Sequence, residues 1–266
     1  MPSIGAPKKI AVIGGGPAGL MAAQVAAGNG FDVCVYERKA SVGRKFLIAG
    51  RGGLNLSHAE PMPAFVQRYR NRTAAVGSWL DGFDNAAVCA WSHELGIETF
   101  IGSSGRVFPK DMKAAPLLRA WIRRLRESGV EFQVNQQAIG FDAAGRLRML
   151  RADGETTIAA DAFILALGGA SWPQLGSDGA WQSWLQPVGL DIETLQPSNC
   201  GFEYAWSDFF KSKFAGAPLK PLRIKLDQTE GNGLQGECVI SEYGLEGSLV
   251  YALSADIRDA IQARGQ

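Results

Sequence analysis

Residues 14–19 read Gly-Gly-Gly-Pro-Ala-Gly, a G-x-G-x-x-G run between an apolar segment, residues 10–13, and a helical one. That order suits the holding of a diphosphate. Gly14 permits the tight turn, Gly16 lets a phosphate approach the backbone, and Gly19 lets the helix sit close on the strand. Pro17 fits the first helical turn, where its missing N–H leaves nothing unpaired. Ala18 lies in the same turn, and the helix N-terminus presents free N–H groups and partial positive charge. Glu37 follows Gly19 by 18 residues and closes a second strand, placed to accept hydrogen bonds from ribose hydroxyls. Its charge disfavours a 2′-phosphate, so NADP is not expected at this site. The candidate dinucleotide residues are thus Gly14, Gly15, Gly16, Pro17, Ala18, Gly19 and Glu37, with Arg38 beside the last.

The glycine run alone does not separate FAD from NAD. Three further stretches favour FAD. Gly43-Arg44-Lys45 follows the second strand closely enough for its cations to reach a pyrophosphate. Ala49-Gly-Arg-Gly-Gly-Leu-Asn55 supplies glycines for close approach, with Arg51, Gly52 and the Asn55 amide facing a ring or ribitol. Leu167-Gly-Gly-Ala-Ser171 ends a later strand where a doubly wound sheet binds ligand, bringing in Ala166, Gly168 and Gly169. Ala138, in a later strand, completes the set.

The elements that position these residues follow from hydrophobic period. Residues 10–13, 17–28 and 32–37 read strand, helix, strand. Residues 40–63, rich in Gly and Arg and poor in period, read as loop against a ligand. Helices are predicted over 73–80 and 85–95. Leu117, Leu118, Trp121, Ile122 and Leu125 recur at helical spacing, with arginines between them and Gly129 as stop. Residues 130–160 break into four short strands, 131–134, 138–142, 147–152 and 156–160, read as a β-meander. Residues 162–167 form another apolar strand. From about Gln196 the text becomes isolated β-like segments, 222–226 and 236–240 among them, before a helical stretch over 254–263. The reading is an α/β fold: a Rossmann-like FAD-binding domain with a β-meander over residues 1–193, and the start of an inserted β-rich substrate domain over 194–266.

Composition bounds the partners. The 266 residues carry 27 Lys and Arg against 26 Asp and Glu. That balance exerts no net pull on nucleic acid, and no nucleic-acid partner is expected. No apolar run reaches the roughly 18 residues of a membrane span, and the first residues lack the apolar stretch of a signal peptide. Cys34, Cys89, Cys200 and Cys238 are scattered without metal-ligand spacing, which excludes a metal site and reads as thiols in a reducing cytoplasm. His58 and His93 stand apart and form no catalytic constellation. Arg119, Arg123, Arg124 and Arg126 read as a solvated helix face in preference to a phosphate stripe.

In its ordered motifs the chain resembles a known family, the bacterial NAD(P)/FAD-dependent flavoproteins that include aminoacetone oxidase and the bile-acid dehydro-reductases, a branch of the two-dinucleotide-binding flavoproteins. The resemblance rests on Ile13-Gly-Gly-Gly-Pro-Ala-Gly-Leu20, Gly43-Arg-Lys-Phe-Leu-Ile-Ala-Gly50, Gly105-Arg-Val-Phe-Pro109, Ala166-Leu-Gly-Gly-Ala-Ser-Trp-Pro173 and Glu242-Tyr-Gly-Leu-Glu-Gly247. Where that family reads Ser-Gly-Gly-Gly-Arg-Cys-Asn, this sequence has Ala49-Gly-Arg-Gly-Gly-Leu-Asn55. The resemblance implies FAD as cofactor, NAD(P)H as a candidate electron donor, a small-molecule substrate, and a chain that stops short of a C-terminal return to the FAD domain.

The implied chemistry is hydride transfer through flavin N5, with the protein supplying orientation and electrostatics. A noncatalytic nucleotide-binding module, a flavin-free NAD dehydrogenase and a tRNA-modifying flavoprotein are the rival readings. No catalytic residue is assigned. Tyr243 is a candidate proton donor or a packed tyrosine. Arg106 and Lys113, flanking a Phe108-Pro109 turn, are candidate anion-holding groups or plain surface cations.

Overall fold

The computed structural model describes residues 7–49, 52–226 and 232–265. The chain divides into two compact units, Met1–Ile192 and Glu193–Gln266. The first is built on a four-stranded parallel sheet in the order Ala162–Leu165, β1 (Lys9–Ile13), β2 (Asp32–Glu37) and Glu131–Val134. Helix α1 (Pro17–Gly28) connects β1 to β2, and the Ala114–Glu127 helix precedes the Glu131–Val134 strand. A parallel neighbour demands such a crossover connection.

Residues 10–13 of β1 are apolar without alternation because both faces of the strand are covered there, as in parallel sheets generally. Val12 packs on the helical side with Leu20, Val35, Leu117 and Leu125. Ala11 and Ile13 pack on the other side with Leu147, Met149 and Phe163. Leu147 and Met149 come from the meander Gln137–Phe141, Leu147–Arg151 and Gly154–Ile158, whose strands pair in sequence order and antiparallel. The Glu131–Val134 strand is not part of this meander, contrary to the sequence reading. It follows a helix rather than a tight turn, and so returns parallel beside β2.

The Ala114–Glu127 helix buries Leu117, Leu118, Trp121 and Leu125, each contributing about 1.5–3 kcal/mol on full burial. Its arginines face outward: Arg124 pairs with Glu94 at 3.3 Å, and Arg126 lies 5.7 Å from the Phe132 ring. The Gln24 side chain ties this helix to α1 and to the Asn85–Glu94 helix. Its Oε1 accepts from the indole N–H of Trp121 at 2.7 Å and of Trp91 at 3.2 Å, and the two rings meet edge to face at 4.7 Å.

Residues 40–63 contain more regular structure than their composition suggests. Arg44–Ala49 is helical, Ser57–His58 is a short strand and Met62–Gln67 a further helix. Leu47 N donates to Gly43 O at 3.0 Å, so Gly43 opens a turn that the apolar residues Phe46 to Ala49 continue. The Phe108-Pro109 pair, read as a turn, ends the strand Arg106–Pro109, which lies between Ser57–His58 and Thr99–Ile101.

The second unit carries an antiparallel sheet in the order Phe202–Glu203, Gly244–Glu246, Leu234–Ile240 and Pro218–Ile224. Its helices are Asp208–Phe214, Ser248–Ala252 and Ser254–Arg264. Cys238, Ile240, Leu249 and Val250 are buried.

Replacing Gln24 by Ala leaves both buried indole N–H groups unpaired. The expected loss of stability is about 1–3 kcal/mol, read as a lower urea midpoint with unchanged slope; an unaltered midpoint would show that the clamp is dispensable.

Candidate functional site

The C-terminal end of β1 sets the site. Gly14 N donates to Tyr36 O at 2.8 Å, and Gly14 has φ +111°. A Cβ there would lie 2.2 Å from Ala166 O, and one at Gly19 would lie 1.8 Å from Gly14 O. Neither position admits a side chain. The Glu37 carboxylate then fixes the turn from β2: Gly15 N donates to Oε2 and Lys39 N to Oε1, each at 2.8 Å.

Gly16 differs from both neighbours of the turn. A Cβ at this position meets nothing within 4 Å. It is the N-cap residue of α1, where no side chain caps the helix and the first turn holds no acidic residue. The first-turn N–H groups therefore lack a side-chain acceptor, which is the donor set that an anionic oxygen completes.

A cavity of about 660 Å³ opens around this turn, inside the roughly 300–1,000 Å³ of small-molecule sites. Gly14, Gly15, Gly16, Pro17 and Ala18 line it, as do Glu37, Arg38, Arg44 and Lys45. Ala138 contributes from the meander, and Ala166 and Gly168 from the end of the Ala162–Leu165 strand. The fit to a dinucleotide rests on this wall: an uncapped helix N-terminus, the cations Arg38, Lys39, Arg44 and Lys45, and an apolar far side with Trp181 and Trp184.

Two of these cations have partners. Lys45 Nζ donates to Ser171 Oγ at 2.6 Å. Arg38 pairs with Asp178 at 2.9 Å, so Asp178 already balances its charge. Burial pushes the Asp178 carboxyl up, but hydrogen bonds from Arg38 and from the Ala180 amide outweigh it and hold the group below its ordinary value. The contribution of this pair to stability is present at neutral pH and is lost as pH falls through that lowered value.

Other expected residues fall elsewhere. Gly19 packs against Gly14 and does not line the cavity, and Gly169 O accepts from Gly179 N at 3.1 Å. Gly52 and Asn55 are exposed and outside the lining. Their segment is held by Leu54 N to Met112 O at 3.0 Å and Leu56 N to Val107 O at 2.9 Å. Gly53 has φ +115°, a backbone conformation that L side chains rarely adopt, so the path of the chain itself accounts for that glycine. Arg51 lies outside the described residues.

Arg106 is exposed in its strand and Lys113 precedes the Ala114–Glu127 helix, neither lining the cavity. Tyr243, in the second unit, is 70% exposed, which excludes its reading as a packed tyrosine. Burial pushes the Cys34, Cys89 and Cys238 thiols up, away from thiolate character. Among the described residues no cluster suits a metal ion and no helix is long and apolar enough to cross a membrane. The cavity residues that sequence reasoning missed include Tyr36, Lys39, Gln136, Ser177, Asp178, Trp181 and Trp184. The partner of Asp178, Arg38, lies 140 residues away in sequence, so no local pattern points to it.

Comparison with known proteins decides the family. The profile described as HI0933-like protein Rossmann domain matches residues 8–245. The chain belongs to this family. This agrees with the Rossmann-like fold read from the glycine blocks. The 3-dehydro-bile acid delta(4,6)-reductase of Clostridium scindens is 28% identical over 94% of this chain and 60% of its own length. The ribosomal RNA dihydrouridine synthase of Haemophilus influenzae is 23% identical over 91% of this chain and 60% of its own. The chain thus spans about 60% of the length of these relatives. Among solved structures, the 3-ketosteroid-delta4-(5alpha)-dehydrogenase of Rhodococcus jostii RHA1 is similar in fold, with a TM-score of 0.50 at 15% identity over 71% of this chain and 56% of that one.

Glu37 has two duties in this geometry, fixing the turn and facing the cavity. Glu37→Ala is expected to weaken FAD binding by about 1–3 kcal/mol in a titration of the folded variant; unchanged affinity would remove Glu37 from the site.

Proposed function

We propose that the cavity holds FAD, with its diphosphate on the 14–19 turn and its adenosine ribose at Glu37, and that the protein is an oxidoreductase acting through it. One observation carries the reading. An uncapped helix N-terminus, backed by a turn that Glu37 holds rigid, opens into a cavity of about 660 Å³.

Each group of the wall then has a task. The first-turn amides of α1 bind phosphate oxygens and the helix dipole favours their charge. Lys45 and Arg44 offset the remaining negative charge. Glu37 accepts from the ribose, and its charge together with the paired state of Arg38 selects against a 2′-phosphate at this site. Tyr36, Trp181 and Trp184 keep water from the apolar side of the cavity. FAD supplies hydride chemistry at its isoalloxazine N5 when bound.

The proposed electron donor is a reduced nicotinamide, and the proposed substrate class is a small organic molecule that is reduced. The names of the two relatives, a bile-acid reductase and a dihydrouridine synthase, support reduction as the direction. The basic face of the Ala114–Glu127 helix does not favour RNA as the substrate. Arg123 lies 4.0 Å from Glu127, Arg124 pairs with Glu94, and Arg126 sits over Phe132.

Equilibrium titration of the chain with FAD and with NAD in parallel tests the proposal. Saturable quenching of flavin fluorescence that excess NAD does not reverse is the expected result. Binding of NAD alone would replace the flavoprotein by a nicotinamide dehydrogenase.

A further inference from the structure

Ser177 is 5% exposed, yet its hydroxyl has no hydrogen-bond partner, and the residue lines the cavity. A buried hydroxyl without a partner is costly, and native proteins almost always satisfy such groups. The backbone leaves little freedom to relieve it. Ser177 N donates to Trp172 O at 3.0 Å and Ser177 O accepts from Trp172 N at 2.9 Å, so both main-chain groups are engaged and the residue is held in place by a closed loop around the short helix Pro173–Leu175.

The surroundings fix which part of a ligand this hydroxyl meets. On one side is Gly168, where a Cβ would lie 3.8 Å from Ser177 Oγ. Gly168 follows the strand whose Ala166 carbonyl crowds Gly14. On the other side are Gly176, where a Cβ would lie 3.0 Å from Arg38 Nε, and Asp178, paired with Arg38 at 2.9 Å. Arg38 follows Glu37 directly. Ser177 is therefore held between the glycine turn and the ribose-reading end of β2.

We infer that the Ser177 hydroxyl, turned about its Cα–Cβ bond from this sealed position toward the cavity that the residue lines, is a ligand contact for the adenosine-diphosphate half of the bound dinucleotide, donating to a phosphate or ribose oxygen. This inference rests on the proposal that the cavity is the FAD site. Two of its consequences separate a binding role from a structural one. Removing the hydroxyl breaks no bond within the protein, so the ligand-free chain keeps or gains thermal stability. The same change removes a bond to the ligand and weakens binding.

The test uses Ser177→Ala and wild type, titrated with ADP and with FAD, beside thermal unfolding without ligand. The expected result is binding of both ligands weakened roughly tenfold, the loss of one hydrogen bond of about 1.4 kcal/mol, with an unfolding midpoint equal to or above that of wild type. Wild-type affinity in the variant would overturn the inference and leave the cavity assignment standing. Weaker FAD binding with unchanged ADP binding would overturn the placement at the adenosine-diphosphate half. A destabilised or unfolded variant would show the hydroxyl to be structural. Failure of wild type to bind either ligand would overturn the cavity assignment itself and this inference with it.

Discussion

The site depends on the two hydrogen bonds that the Glu37 carboxylate accepts from Gly15 and Lys39, each 2.8 Å long. The first joins the end of β2 to the turn after β1, and the second, from two residues along the chain, holds the carboxylate in place. A glycine-rich turn is entropically expensive to order, and charged acceptors are among the stronger means of ordering one. With the turn fixed, α1 starts at one defined place and its first amides face the cavity. Gly43 N, bonded to Gly15 O at 2.8 Å, adds the Arg44–Ala49 helix to the same frame.

Around that frame the cavity is closed by long-range polar contacts. Lys45 reaches Ser171 and Arg38 reaches Asp178, so two cations near β2 are tied to the segment after the Ala162–Leu165 strand. The pairing with Asp178 removes Arg38 from competition for a further anion, while Lys45 remains hydrogen-bonded to a neutral hydroxyl and keeps its charge. The positive potential available to a diphosphate thus comes from α1, Lys39, Arg44 and Lys45.

What the sequence made legible is what local pattern controls. The periodic leucines of the Ala114–Glu127 helix, the turn at 14–19 and the closing Glu37 are short-range signals, and the structure places them as the spacing implies. Contacts made between distant segments were not legible. The Glu131–Val134 strand has the same local character as the meander strands, and only its pairing with β2 distinguishes it. Gly53 reads as a ligand glycine until its φ of +115° is seen. Ser177 and Asp178 carry no local signal, and join the site only where the loop that carries them is folded against Arg38 and Gly168.

The central claim, that a diphosphate lies on the 14–19 turn, is tested most directly at Gly16. A Cβ there meets no protein atom within 4 Å, so Gly16→Val is expected to fold with native circular dichroism. Its side chain would occupy the space of the phosphate, and flavin content together with FAD titration should show binding abolished. A folded variant that still takes up stoichiometric FAD would contradict the account, because the diphosphate would then lie somewhere other than this turn.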